Sequence, residues 1–389
     1  MNRSIALALM LVLGGAHIAS AQSVFSSRGL GVPVTPVDAR ARALGGLGLA
    51  LSNQNPSLIN PAEAATYGFR GLTAALQSSS NAIGYDGAEA DAGANRFPLL
   101  RFVYPTGGRL VISAGYGGFL DQTWSAFSER TDVIGGETVA VRDAIDSSGG
   151  IAQIQVGAAY SLAPGFAIGV AGGLYTGELR RTITRTFPDG DFTGGTGFQE
   201  ERSWTQRAPF ATAGVLWDPA PILRVGGSVT WAGTLKADAR TARTEDFDVD
   251  LPLQVAGGVS AVLAPRLLGT FSGRWSGWSS AADAFGADAA PVDTWELGGG
   301  IEWEGMTFGN RSMPLRLGYH YEQYPFQVDG VTPTESAFSV GTGLTVGISQ
   351  AGTLASFDAA VERGSRDAKG TGLAEDFWRV TFSLGVSGL

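Results

Sequence analysis

The stretch RVTFSLGVSGL, Arg379–Leu389, sorts itself when it is extended as a strand. Val380, Phe382, Leu384 and Val386 point to one side. Thr381, Ser383, Gly385 and Ser387 point to the other. Successive side chains of a strand alternate between its faces, so this strand has one apolar face and one small, polar face. The fold turns on what the apolar face touches, a protein core or lipid.

The same alternation recurs along the chain. Phe338, Val340, Leu344, Val346 and Ile348 interleave with Ser339, Gly341, Gly343, Thr345 and Gly347. Trp295, Leu297, Ile301 and Trp303 interleave with Glu296, Gly298, Gly300 and Glu302. Fourteen such segments are expected, starting near Arg70, Phe97, Arg109, Ile151, Gly165, Thr205, Ile222, Leu251, Arg266, Asp293, Pro314, Ser336, Thr353 and Asp376. A soluble sandwich would present Lys and Glu on its outer faces; here the second face is mostly Gly, Ser, Ala and Thr. Small residues suit the crowded interior of a closed sheet, and closure is compulsory in lipid, where an open edge leaves backbone groups unpaired. A transmembrane antiparallel up-and-down β-barrel of about fourteen strands is the expected fold.

The connections agree. PTGG at 105–108, SLAPG at 161–165, DPAP at 218–221, LAPR at 263–266 and SQAG at 349–352 are short. They alternate with long polar stretches at 128–149, 187–201, 238–250 and 364–375, read as loops, with 304–313 of middle length. Outer-membrane barrels have short periplasmic turns and longer outside loops. An even strand number places both termini on the periplasmic side. Tyr104, Tyr160, Trp217 and Trp303 sit at the last outward position before a short turn, and Trp295 and Trp378 at the opposite strand ends. Two aromatic belts are what membrane interfaces favour.

Composition narrows the rest. The 389 residues include 57 Gly, no Cys and a net charge of −9, which argues against nucleic acid as a partner and excludes disulfides and thiolate metal sites. Met1-Asn2-Arg3, the apolar run Ile5–Leu13 and Ala19-Ser20-Ala21 read as a signal peptide over 1–21. Residues 22–66 do not alternate; they are rich in small and apolar residues, and are expected to plug the lumen of a barrel over 67–389. Pro56–Ala65 reads as one or two helical turns.

Within that segment, ARALGGLGLALSNQNPSLINPAEAA, with Gly45, Gly46, Gly48 and the run Asn60-Pro61-Ala62, resembles the N-terminal signature of the outer-membrane long-chain fatty acid transporter family, FadL type. The resemblance implies a fourteen-stranded barrel with an N-terminal hatch and cofactor-free diffusion of hydrophobic compounds. It points to Asn60, Pro61 and Ala62 in the plug. Val24 and Phe25, near the mature N-terminus, are apolar enough to meet a ligand.

Inward positions carry Arg101, Arg224, Arg274, Arg316, Glu296, Glu302 and His320. They fit either salt bridges that tie strands and plug, or guanidinium recognition of an amphipathic ligand's carboxylate. Glu296 and Glu302 lie six apart on one strand, about 20 Å, too far for paired-carboxylate catalysis. His320 is the one histidine of the mature chain, and no nucleophile elbow accompanies it. An enzyme is not expected, nor any cofactor or metal. The expected function is passive uptake of hydrophobic or amphipathic small molecules, long-chain fatty acid-like, across the bacterial outer membrane. The partners are outer-membrane lipid and a hydrophobic ligand. A scaffold docking a periplasmic or surface partner protein and a general polar porin are the alternatives.

Overall fold

The structure is a computed structural model that describes residues 23–51, 57–85, 88–134, 136–187, 197–242, 244–284, 290–309, 311–347 and 354–388. The expected leader at 1–21 and the SQAG turn lie outside the described residues. Fourteen strands make the wall: β1 Gly71–Tyr85, β2 Ala88–Pro105, β3 Leu110–Asp121, β4 Glu137–Ala163, β5 Phe166–Thr186, β6 Phe198–Ala220 and β7 Leu223–Ala232. The second half is β8 Gln254–Ala264, β9 Leu267–Ser276, β10 Thr294–Trp303, β11 Leu315–Gln323, β12 Thr334–Gly347, β13 Leu354–Ala368 and β14 Leu373–Ser387. Each pairs antiparallel with the next, and β14 closes on β1 with Ser387 opposite Gly71. No helix among the described residues is long and apolar enough to cross a membrane; the strands do the crossing.

Exposure runs opposite to that of a soluble protein. Outward Val156, Val170, Phe338 and Phe382 are 65%, 60%, 70% and 58% exposed, whereas inward Thr381, Ser339 and Ser383 are at most 5% exposed. A surface of bare aliphatic and aromatic side chains around a polar interior is stable only against lipid. The apolar face of Arg379–Leu389 therefore looks outward, and the small face packs inside.

Strand starts at the short turns fall within a residue or so of the sequence reading. At the other end five come earlier, because those strands run past the membrane, while those expected near Leu251 and Asp293 start at Gln254 and Thr294. β4 has 27 residues, β5 21 and β6 23, against the roughly 9–11 needed to span. The expected loop at 128–149 is mostly strand: Trp124–Ile134 continues β3 and pairs with β4. Part of 238–250 is strand too, since Thr234–Ala239 pairs with β6 and with Phe247–Asp250. In 364–375 only the short turn at 369–372 separates β13 from β14. The exposed positions of these extensions are largely polar and only a few apolar residues, such as Val139, Val141 and Val249, are buried, so the alternation is too short to see and they read as loops. The middle-length stretch 304–313 carries a small hairpin, Thr307–Phe308 with Arg311–Ser312.

The core lies in the lumen, around the N-terminal segment. Val24–Ser27 is a 3-10 turn, Val32–Pro33 a two-residue strand, Ala39–Ala43 the short helix α1, and Pro61–Thr66 a second 3-10 turn. Asp38 caps α1, its Oδ1 accepting from Ala41 N at 2.9 Å. Asn60 caps the second turn, Oδ1 accepting from Ala62 N at 3.1 Å, with Pro61 at the first helical position.

Candidate functional site

The plug is keyed into a wall of glycines. A Cβ on Gly298 would stand 1.7 Å from the Gly45 carbonyl oxygen, and one on Gly214 would stand 2.1 Å from Asn60 Oδ1. Gly169 meets Ala62, Gly258 meets Leu49, and Gly341 meets Ala43 in the same way. Glycine is required there because plug atoms, backbone at Gly298 and Gly169 and side chain at Gly214 and Gly341, occupy the space a Cβ would fill. Hydrogen bonds complete the fit. Asn60 Nδ2 donates to Val215 O at 3.0 Å, Ser383 Oγ accepts from Ala39 N at 2.6 Å, and Ser260 Oγ donates to Ala50 O at 2.6 Å.

Two buried charge clusters tie plug to wall. In the first, Glu302 accepts from Arg40 of α1 through Nε at 2.9 Å and Nη2 at 2.6 Å. It also accepts from Arg316 Nε at 2.6 Å, while Arg316 Nη1 reaches Asp358 at 2.6 Å. A cavity of about 530 Å³ opens below this cluster, at the short-turn mouth. The second cluster centres on Glu335, which takes Arg366 at 2.7 Å, the Tyr324 hydroxyl at 2.8 Å, Arg379 at 2.9 Å and His320 Nε2 at 3.0 Å. Glu362 and Glu375 flank it, and Ser23 of the plug donates to Glu375 at 2.6 Å. The Phe377 ring lies between Arg366 and Arg379, each 4.5 Å away.

The inward residues expected from sequence take these places. Arg316, Glu302 and His320 join the clusters. Arg274 pairs with Glu296 beside Thr35 of the plug. Arg224 grips Asp218 with two bonds at 2.6 and 2.8 Å. Arg101 is 2% exposed with no hydrogen-bond partner on its guanidinium, and the Glu63 carboxylate of the plug acts on it electrostatically. Phe25 is fully buried, edge-on to Tyr324 at 5.8 Å, and Val24 packs on the same cluster. The sequence reading missed Arg40, Asp358, Glu335, Glu362, Arg366, Glu375 and Arg379. Strand parity could have found the wall members: Asp358, Glu362 and Arg366 stand four apart, as do Glu375 and Arg379.

Above the Glu302 cluster, at the long-loop end alongside the Glu335 cluster, lies an aromatic chamber. Phe119 and Tyr175 stack at 4.1 Å, Tyr175 and Phe210 at 4.4 Å, and Trp278 lies nearly parallel to Phe119 at 6.4 Å. Beside it is a narrow cavity of about 40 Å³ between the plug residues Pro33, Val34, Pro36 and Leu58 and the wall. That volume holds about three waters and no organic ligand.

The wall next to this cavity is split. β2 and β3 pair only from Pro105 opposite Val111 up to Leu99 opposite Gly117. Pro98 follows, beside a register shift against β1, and proline cannot donate to a ladder. Beyond that point the plug strand takes the place of β2: Val32 faces Asp121, Pro33 faces Leu120, and Val34 N donates to Phe119 O at 2.8 Å. Arg96 of β2 reaches across to Asp121 of β3 at 2.6 Å. The plug thus closes a lateral seam as well as the lumen.

A family model described as BamG matches residues 1–206, more than half of the chain. The chain belongs to the BamG family. No curated protein matches it in sequence. Among solved structures, this BamG-family barrel is similar to a Pseudomonas aeruginosa FadL homologue at TM-score 0.58 and 15% identity, covering 92% of this chain and 99% of that one. It is similar to the Ralstonia pickettii toluene transporter TbuX at TM-score 0.58 and 17% identity, covering 90% and 98%. It is also similar to the P. putida toluene transporter TodX at TM-score 0.58 and 14% identity, covering 91% and 98%. At these identities the likeness is one of fold: the FadL-type resemblance of the sequence holds for the barrel.

Proposed function

We propose that this chain is a gated channel of the bacterial outer membrane, with both termini periplasmic, for passive uptake of hydrophobic or amphipathic small molecules. The observation that carries the reading is the seam between β2 and β3, closed by Val32–Pro33 and adjoining an aromatic chamber. A greasy molecule gains nothing from crossing the charged lower lumen, where every step leaves an ion pair unmet. A side exit into the bilayer avoids that cost. The described conformation is the closed one, and passage requires the plug strand to leave β3. The paired lumen charges and filled interior speak against an open polar porin. Long-chain fatty acids remain the finer expectation of the sequence.

The chain has no cysteine, so the seam can be locked cleanly. Pro33 and Leu120 are antiparallel partners, at a separation a disulfide can bridge. In proteoliposomes, Pro33→Cys with Leu120→Cys should block uptake of toluene when oxidised and restore it when reduced. Flux unaffected by the lock, or no flux above empty liposomes in the wild type, overturns the reading. A scaffold role draws on one different feature: the outer extension Trp124–Ile134 pairs with β4 alone and leaves its other edge unpaired in the described pairing.

A further inference from the structure

We propose that the α-ammonium group released at Gln22 by removal of the leader is the missing cation of the Glu335 cluster, where it pairs with Glu375. The inference is independent of what the channel carries.

The cluster is short of positive charge. Among the described residues, Glu335, Glu362 and Glu375 face Arg366 and Arg379, and all five are at most 4% exposed. Following the same belt along the wall adds two of each sign, Glu296 and Glu322 with Arg42 and Arg274, and leaves the deficit in place. His320 bonds Glu335 and makes no hydrogen bond to the oxygens left over. Those are Glu362 Oε2 and Glu375 Oε1, each buried without a donor. Arg366 Nη1 stands 3.3 Å from Glu375 Oε1 but is not directed at it. A buried acceptor without a donor is costly, and a buried unmatched charge costs more.

The chain brings an amine to that place. Ser23, where the described residues begin, is 2% exposed and donates its hydroxyl to Glu375 Oε2 at 2.6 Å. Phe25 is fully buried against Tyr324, whose hydroxyl donates to Glu335. Gln22 is one peptide unit from Ser23, about 3.8 Å between Cα atoms, so its nitrogen can reach the other oxygen of the same carboxylate.

Before processing, that nitrogen is a neutral amide inside a continuing chain. The leader reading places cleavage between Ala21 and Gln22. Hydrolysis there adds one water across the amide. The C–N bond breaks, the hydroxyl goes to the Ala21 carbonyl carbon and the hydrogen to the Gln22 nitrogen, which takes up a further proton at neutral pH. The new group carries three N–H donors and a positive charge, which a carboxylate answers with a charge-assisted hydrogen bond. Removing the leader completes the cluster that holds the start of the plug, so seating is tied to maturation.

Amine labelling tests this on the full chain, exported with its leader, extracted in detergent and treated with N-hydroxysuccinimidyl acetate before tryptic mass spectrometry. After processing the amines are Gln22, Lys236 and Lys369, and both lysines are exposed, so they serve as references. In the folded barrel Gln22 should carry an uncyclised amine and react at least roughly tenfold more slowly than either lysine, with the protection lost in denaturant. Glu375→Gln should raise the Gln22 rate toward the reference rates and leave the lysines unchanged. Should that variant not fold, one glycine inserted between Ala21 and Gln22 moves the amine a residue away from Glu375 and should likewise abolish the protection. A wild-type Gln22 labelled as fast as the lysines, a chain that starts at any other residue, or a Gln22 that has lost ammonia to form the uncharged lactam overturns the proposal. Protection that survives both changes reports burial without pairing and overturns it as well.

Discussion

Glu302→Gln isolates the charge contribution to plug docking. The Glu302 side chain is 3% exposed and neutralises two guanidiniums, Arg40 on the plug and Arg316 on the wall. The amide keeps the shape and removes the charge. Asp358 still answers Arg316, so Arg40 loses its direct carboxylate partner and keeps only the longer-range fields of Asp38 and Asp358. Breaking one side of a buried pair costs about 3–5 kcal/mol. At 1.4 kcal/mol per tenfold, that weakens plug docking by roughly two to three and a half orders of magnitude. The barrel ladder is untouched, so the loss falls on the plug. Two readouts follow it in nanodiscs or planar bilayers: trypsin cleavage after Arg40 and Arg42, both buried in the closed state, and ion conductance. Both should rise in the variant. Arg40→Met combined with Glu302→Gln removes both opposite charges and should return near wild type, because apolar replacement of a whole buried pair is close to neutral. If Glu302→Gln stays closed and trypsin-resistant, shape alone holds the plug and the electrostatic account is wrong.

Gly298→Val should displace α1 and its flanking turn, since even a Cβ there lies 1.7 Å from Gly45 O; we expect about 1–3 kcal/mol or more, read as increased conductance of a still-folded barrel. Val380→Arg on the lipid face should cost roughly 2–4 kcal/mol in refolding titrations if it sits near the midplane. From alternation alone the inward neighbour Ser383→Arg is expected to cost much less, but Ser383 is buried and accepts from Ala39 N, so it too should fail, by expelling the plug. In the outer extension, Asp143 is held below the ordinary carboxylate range by its hydrogen bonds from Arg185. A depressed folded value means the stabilisation is fully present above the unfolded value of about 3.9 and is lost only as pH falls through the lower folded one. The protection of amides in Trp124–Ile134 and its partners, relative to their intrinsic exchange rates, should therefore be flat from pH 7 to 5 and fall below about 4, and Asp143→Asn should abolish that acid step.

The wall was legible in the sequence because lipid imposes a single rule on every strand, with a period of two. Phe338, Phe382 and Trp295 obey it, and so do the strand starts after short turns. Where lipid ends, the rule ends. Glu137–Gly149 and Phe198–Ser203 run past the lipid, where only Val139, Val141, Ser147 and Ser203 are buried and the outward positions are no longer apolar, and the sequence reading left most of them as loops. Arg366 and Glu375 were missed with the expected loop at 364–375 that concealed their parity. Plug placement followed from composition, but its partners did not. Nothing local in ARARA says that Arg40 meets a carboxylate 262 positions away. The seam was hidden for a different reason: Pro98 marks a weak point, yet only the pairing of Val32–Pro33 with β3 reveals what fills it.

The wall closes where β14 meets β1, and β14 is also a main anchor of the plug. Glu375 takes Ser23, Ser383 takes the N–H of Ala39, and Arg379 completes the cluster around Glu335. The first segment of the chain and its last strand thus meet inside a ring that the same last strand shuts. The stopper's seat is incomplete until the final strand arrives, so the stopper cannot be fully seated before the cylinder is finished. Seating therefore comes with or after closure of the ring, and the last strand sets the earliest moment at which the barrel can be sealed.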